Sequence, residues 1–238
     1  ISQNENPTRG ASKWYVYRVN VNFTTTNYFW DFPQVGHDQD AVIFTANIFA
    51  PSFVGSSMFA VAKARLYNGL GWTVPVWHPA YGSGLTGTLA PPVVLDQNSR
   101  TYLLAAPSYV SPGGTAVTKY TLTNSSRPNA IALASATINV SVPYYIPPNG
   151  RQPGTTATLD SLDCRFGNWS TQDGDSIWNA HSVNFGGSPW AWSIWYEFDT
   201  VANTQVNRGS MIGAAGYDDF MPHIAVNRLG DIFAVWTS

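Results

Sequence analysis

One phrase recurs along this chain at a fixed internal spacing, and that repetition restricts the possible folds more than any other feature. It reads DFPQVGHDQDAVIFTANIF at 31–49, PPVVLDQNSRTYLLAA at 91–106 and DFMPHIAVNRLGDIFAVWTS at 219–238. The step from Pro33 to Asp38 equals those from Pro91 to Asp96 and from Pro222 to Asn227. Each copy passes from a proline through a Val or Ile two residues on to Asp or Asn, turns through polar residues, and enters a run of aromatic and β-branched side chains. That is a strand, a turn and a second strand. A looser fourth copy, TLDSLDCRFGNWSTQDGDSIWNAHSV at 158–183, sets Asp163 opposite the other three turn residues. Fixed spacing argues for one structural unit used repeatedly.

A second element alternates apolar and polar residues and also occurs four times. Its copies are SKWYVYRVNV at 12–21, MFAVAKARLY at 58–67, TAVTKYTLT at 115–123 and WAWSIWYEFD at 190–199. Further strands such as WTVPVWHP and ATINVSVP complete a unit of four. Gly and Pro punctuate the chain every few residues, and helical periodicity is nearly absent. The expectation is an all-β protein, a β-propeller of four-stranded antiparallel blades with about four repeat units. The units fall at about 31–79, 89–145 and 157–211, with a split unit made of 219–238 plus 1–28. Closure of four units into a small ring, a slice of a larger ring, and pairing between copies of the chain all remain open at this point.

Composition narrows the partners. At 44% hydrophobic and 11% charged, the 238 residues can bury a substantial core, and a formal net charge of -2 provides no basic stripe for nucleic acid or anionic lipid. No apolar run is long enough to cross a bilayer. The opening ISQNENPTRG has neither a basic nor an apolar leader region, so a processed product or a piece of a longer chain is expected. A single cysteine, Cys164, excludes an intramolecular disulfide framework. Few lysines and four Asn-x-Ser/Thr triplets, at Asn22, Asn124, Asn139 and Asn168, favour secretion or display at the cell surface.

Taken with ISQNENPTRGASKWYVY, DGDSIWNAHSV and WYEFD, these phrases make the chain similar to secreted, largely uncharacterised bacterial β-propeller proteins. In those proteins phrases of the type DYPxxGxD and PxIAVNxxGD recur. The likeness runs through most of the chain and is poorest at 124–156. It implies an architecture and no particular activity.

Two sets of side chains are candidates for binding. Asp38, Asp96, Asp163 and Asn227 hold corresponding places in the repeats, so a closed ring would bring them to one rim of a channel, where a Ca ion would fit. The competing and favoured role is local, with each side chain accepting N–H bonds in its own turn. Arg165, Trp178, His181, Trp195 and Glu197 form the richest aromatic and polar set. Such groups hold sugars by stacking and hydrogen bonding, while the bland alternative packs the tryptophans between blades and pairs Glu197 with Arg165 or solvent.

No reaction is legible. His37, His78, His181 and His223 lack the spacing of a zinc site. GSGLTG at 82–87 lacks the helix that a phosphate loop requires, and STQDGDSIW resembles the sialidase aspartate box only as a turn. The leading expectation is a non-catalytic extracellular binding propeller for glycans or surface proteins, without a cofactor. The alternatives are a polysaccharide-acting glycosidase or lyase, and a structural subunit joined through its split blade.

Overall fold

The computed structural model describes residues 1–10, 13–22, 28–78, 85, 87–106 and 114–238. Among the described residues the fold is all-β apart from one four-residue helical turn. Most of the GSGLTG loop lies outside the described residues, as does Ser12 at the start of SKWYVYRVNV. Among the described residues no helix is long and apolar enough to cross a membrane.

Four groups of strands follow one another along the chain. Sheet 1 consists of β1 (Phe29–His37), β2 (Ala41–Phe49) and β3 (Phe53–Ala62), after which α1 (Lys63–Leu66) turns the chain. A three-residue strand, β4 (Pro92–Val94), precedes sheet 2, formed by β5 (Arg100–Ala105), β6 (Gly114–Thr123) and β7 (Ala132–Tyr144). The two-residue strands β8 (Gly150–Arg151) and β9 (Thr158–Leu159) pair with each other. Sheet 3 consists of β10 (Ser170–Asp173), β11 (Ser176–Val183), β12 (Trp192–Asp199) and β13 (Thr204–Met211). Sheet 4 is the hairpin of β14 (Phe220–Val226) and β15 (Ile232–Thr237).

Alternation along each strand decides which sheets face each other, because successive side chains leave a strand on opposite sides. In sheet 2, Leu103, Ala105, Tyr120 and Leu122 turn toward Ile43, Met58 and Ala60 of sheet 1. Tyr102, Leu104, Val117 and Ile138 turn the other way, toward Ile177, Ile194, Tyr196 and Phe198 of sheet 3. The opposite side of sheet 3 packs Ala180, Trp178 and Trp195 with Ile224 of sheet 4. The sheets therefore stack face to face in chain order.

The leading strands of the units lie side by side. β4 pairs in parallel with β1 through His37 and Val93 and with β10 from Ser170 to Gln172, so sheets 1 and 3 are joined through it. β14 lies beside β10, where the Val226 N–H reaches the Thr171 hydroxyl at 3.4 Å. Gly36 makes the junction possible, since a Cβ there would stand 2.4 Å from the Pro92 carbonyl oxygen.

The repeated prolines mark bulges. Pairing with the partner strand slips between Asp31 and Gln34 in β1 and between Phe220 and His223 in β14. Proline has no N–H for the ladder, and the residue before it, Phe32 or Met221, takes a positive φ of 51° or 52°. The same local distortion is thus written twice.

The turns after the leading strands lock neighbouring units together at one end of the stack. Asp38 Oδ1 accepts the N–H groups of Asp40 and Ala41, while Oδ2 accepts the Thr101 hydroxyl at 2.6 Å. Asp96 accepts from Asn98 N–H and, across the gap, from Gly174 N–H at 2.8 Å. Gln172 is buried and serves as a surrogate strand for β5: its Oε1 accepts the Tyr102 N–H and its Nε2 donates to the Arg100 carbonyl. Arg228, in the turn of sheet 4, donates to the Leu95 carbonyl.

Three expectations need correction. Asp163 is not the counterpart of Asp38, because the unit 3 turn is Gly174–Asp175 between β10 and β11; Asp163 lies upstream of β10. The segment 72–78 is no strand of sheet 1, its pairing being limited to the Met58–Trp77 bridge. The stack is also open. The ladder of β15 is with β14, and residues 13–22 lie instead over the outer side of sheet 1, where Tyr17 joins Phe59, Val61 and Leu66. The Tyr17 hydroxyl donates to the Leu66 carbonyl at 2.9 Å.

Candidate functional site

Of the five side chains expected to form a sugar site, four divide between two faces of sheet 3, and Arg165 lies upstream of β10. Trp178 pairs with Glu197 and Ala180 with Trp195, which puts both tryptophans and Glu197 on the side that meets sheet 4. Trp195 lies flat on Gly209, whose missing Cβ would be 2.4 Å from the indole nitrogen. Glu197 accepts the Ser176 hydroxyl and the Asn207 amide, and has no bond to Arg165. His181 pairs with Ile194 and faces the other way, fully buried among Phe166, Tyr144 and Tyr196.

His181 is a packed core histidine. A carbonyl can only accept, so Nδ1 carries the proton that bonds Cys164 O at 2.7 Å, and Nε2 faces the Tyr196 hydroxyl at 3.3 Å. Burial pushes its pKa down to about 4, against the opposing hydrogen bond to Cys164 and the charge of Asp163. Arg165 is held by Asp163 through Nε at 2.7 Å and a terminal nitrogen at 2.5 Å. Burial also raises the Cys164 thiol to about 12, which makes it a poor nucleophile.

The turn residues do not converge. Asp38, Asp96 and Asn227 bind backbone N–H groups in their own turns, and Asn227 bonds Asp231 as well. Among the described residues no three Asp, Glu, His or Cys side chains come together as metal ligands.

A different cleft, of about 550 Å³, gathers the groups that binding requires. It lies at the end of the stack opposite the locked turns and is lined by Arg151, Leu159, Trp190, Tyr217, Asp218 and Phe220, among others. Three loop-rich segments build it: β8–β9, the β11–β12 connection and the β13–β14 connection. Gly150 lets β8 reach the wall, since a Cβ there would be 2.5 Å from the Phe220 ring.

At its centre the Arg151 guanidinium lies 3.3 Å from the centroid of the Trp190 ring, a cation–π stack. Arg151 Nε donates to Asp218 Oδ2 at 2.8 Å, and Asp218 also accepts the N–H groups of Arg151 and Ala191. Burial alone would raise the Asp218 pKa; those two N–H bonds and the adjacent guanidinium outweigh it and hold the carboxyl below its usual range. Asp218 is thereby an anchor held in its ionised form at neutral pH. The terminal nitrogens of Arg151 have no hydrogen-bond acceptor among the described residues, and the side chain is 46% exposed. Tyr217 adds an aromatic ring that is 57% exposed.

Sequence reasoning missed this site because its residues are split among PNGRQPG, GGSPWAW and GYDDF, far apart in the chain. The available signal was the aromatic and charged residues of three Gly-containing loops, of which only the one with Arg151 lies within the segment that matched the repeat phrases least.

No family model matches the chain, and no curated protein matches it. Solved structures with partial likeness include a bifunctional GH43-CE protein of Bacteroides eggerthii, 10% identical at a TM-score of 0.27; the match covers 88% of this chain and 31% of that one. A BT0996 complex with RGII is 9% identical at a TM-score of 0.24, covering 90% and 88%. A glycoside hydrolase is 9% identical at a TM-score of 0.26, with the same two coverages. Likeness at this level fixes neither the architecture nor the activity of the present protein.

Proposed function

We propose that this protein is a non-catalytic, extracellular carbohydrate-binding module whose sheets are the blades of a β-propeller, with the cleft around Arg151 and Trp190 as its ligand site. The observation that carries the reading is the Arg151 guanidinium, fixed between the Trp190 ring and the buried Asp218 carboxylate while its outer nitrogens face solvent. A pyranose has an apolar face of C–H groups and an edge of hydroxyls. The aromatic rings take the first and the fixed guanidinium donates to the second. The cleft volume suits a ligand of a few sugar rings' size or smaller.

Binding is favoured over hydrolysis by the state of the acids. A glycosidase needs one carboxyl that stays protonated as general acid. Asp218 is held ionised by its three donors, and its neighbour Asp219 is buried, accepting from Gly213 N–H and the Trp236 indole. Neither is free to act on a ligand in the cleft.

The test is affinity electrophoresis against a panel of soluble polysaccharides, followed by titration of any that retards the protein. Tyr217→Ala and Trp190→Ala are expected to weaken binding at least tenfold, roughly 1.4 kcal/mol. Tyr217→Ala should leave the melting temperature unchanged. Arg151→Lys should not restore what Arg151→Ala loses, because an ammonium lacks the planar fork. Retardation that survives all of these substitutions would exclude the cleft. Release of reducing ends from the same panel would overturn the non-catalytic reading.

A further inference from the structure

We infer that a second pocket, built around Arg165 and Phe32, is a further subsite that takes one more neutral ring of the same glycan chain, an assignment that rests on the sugar-binding reading of the Arg151 cleft. It adds a minimum length and a charge preference to the ligand.

The pocket, of about 290 Å³, lies where the start of β1, the residues upstream of β10 and the start of β14 meet. β1 and β14 run from here to the turns at Asp38 and Asn227, so the pocket is at the end of the stack that carries the cleft. Two chain segments lead from one cavity to the other. Leu159 lines the cleft and Leu162 the pocket; Phe220 lines the cleft and Met221 the pocket. Three residues of chain span at most about 11 Å, and adjacent Cα atoms are about 3.8 Å apart. The cavities are neighbours, within the span of one oligosaccharide.

The backbone is strained where it lines this pocket. Among the described residues, positive φ occurs outside glycine at Phe32, Asn124, Leu162, Asn203 and Met221. Asparagine tolerates that region, whereas Phe, Leu and Met do so at a steric cost. All three of the bulky residues line the one pocket. Such strain persists only where the surroundings enforce it, and it gathers at ligand-binding positions. Here the Ser182 hydroxyl accepts the Met221 N–H at 2.9 Å, and Gln34 in β1 donates to the Gly167 carbonyl.

The side chains offer a donor beside an aromatic face. Asp163 takes Nε and one terminal nitrogen of Arg165, which leaves the other terminal nitrogen without an acceptor among the described residues. The guanidinium carbon is 5.7 Å from the centroid of the Phe32 ring. The Asp163 hydrogen bond raises the Arg165 pKa against burial, and the charges of Asp163, Asp31 and Asp160 act in the same direction. One cation thus stands among three carboxylates, a field that repels an anionic sugar. A neutral ring accepts from the free N–H and lays its C–H face on Phe32. At about half the volume of the cleft, the pocket has room for a single ring.

Calorimetric titration with two-ring and six-ring cello-, xylo-, manno- and galacto-oligosaccharides tests this apart from the cleft. Wild-type protein is expected to bind a six-ring probe about tenfold tighter than the two-ring probe of the same sugar, because the second contact is then intramolecular. Phe32→Gly, which removes the ring and relieves the positive φ, should erase that gain and keep the two-ring affinity. Arg165→Gln should lower six-ring affinity to the same level, while Tyr217→Ala should weaken both lengths. Six-ring affinity unchanged in Phe32→Gly and Arg165→Gln, with both lengths weakened by Tyr217→Ala, overturns the second subsite and leaves the cleft reading standing. Wild-type protein that binds no probe, or binding that Tyr217→Ala leaves intact at both lengths, overturns both. Oligogalacturonates of the same two lengths should show no gain, and a gain there overturns the preference for a neutral ring.

Discussion

Alanine at Gly36 is expected to lower the melting temperature by roughly 6–12 °C, the effect of about 3 kcal/mol on a chain of this size. The added Cβ would stand 2.4 Å from the Pro92 carbonyl oxygen and 2.8 Å from the Pro91 Cβ. Neither neighbour is the loose end of a flexible side chain. β4 is clasped between β1 and β10, so moving Pro92 away from Gly36 pushes it into the pairing with Ser170. The substitution thus loads the junction that unites sheets 1 and 3. Gly71→Ala is the control, because a Cβ there meets nothing within 4 Å. Its melting temperature should stay within about 2 °C of wild type, about 0.5 kcal/mol. Equal melting temperatures for the two variants would sink this account of the junction.

Acid should destabilise the protein well before its carboxylates titrate. His181 is neutral in the folded chain, with its pKa pushed down to about 4 from an ordinary 6.5. Between those values the unfolded state takes up a proton that the native one refuses, so stability rises with pH across the window. The contribution is complete above pH 6.5 and is lost as pH falls toward 4, a change of about 3 kcal/mol. Burial lowers His37, His78 and His223 in the same direction. Urea midpoints measured at intervals from pH 7 to 4.5 should fall steadily. In His181→Phe the curve should flatten by about one proton's slope, whatever the variant's stability at pH 7. A wild-type profile flat between pH 6.5 and 5 would mean that His181 is solvated or charged.

The all-β class was legible because period-two alternation, like the fixed Pro-to-Asp spacing, is a property of the local chain. The bulges at Phe32–Pro33 and Met221–Pro222 are the structural content of that spacing. Unit 3 departs from it. Its leading strand has no proline before Ser170, so Asp163 offered a false match while the real turn at Gly174–Asp175 is shorter than the others. The ligand set failed for a related reason. Trp178, Trp195 and Glu197 belong to one face of a sheet and His181 to the other, a division fixed by the β11–β12 register, which no single strand reveals. The cleft at Arg151, Trp190 and Asp218 depends on three connections meeting in space, and residue spacing holds no trace of such a meeting.

The staples between units, from Asp38 to Thr101, from Asp96 to Gly174 and from Gln172 to β5, all sit at one end of the stack. At the other end the connections at 185–191 and 212–219 are joined to each other and to β8 through Asp218 and Asp219, which bond Ala191 and Arg151. The molecule is thus divided into a clamped base and a rewritable crown. New specificities can be grafted onto the crown by exchanging residues around Asp218 and Asp219, with the base left to hold the registers as they are.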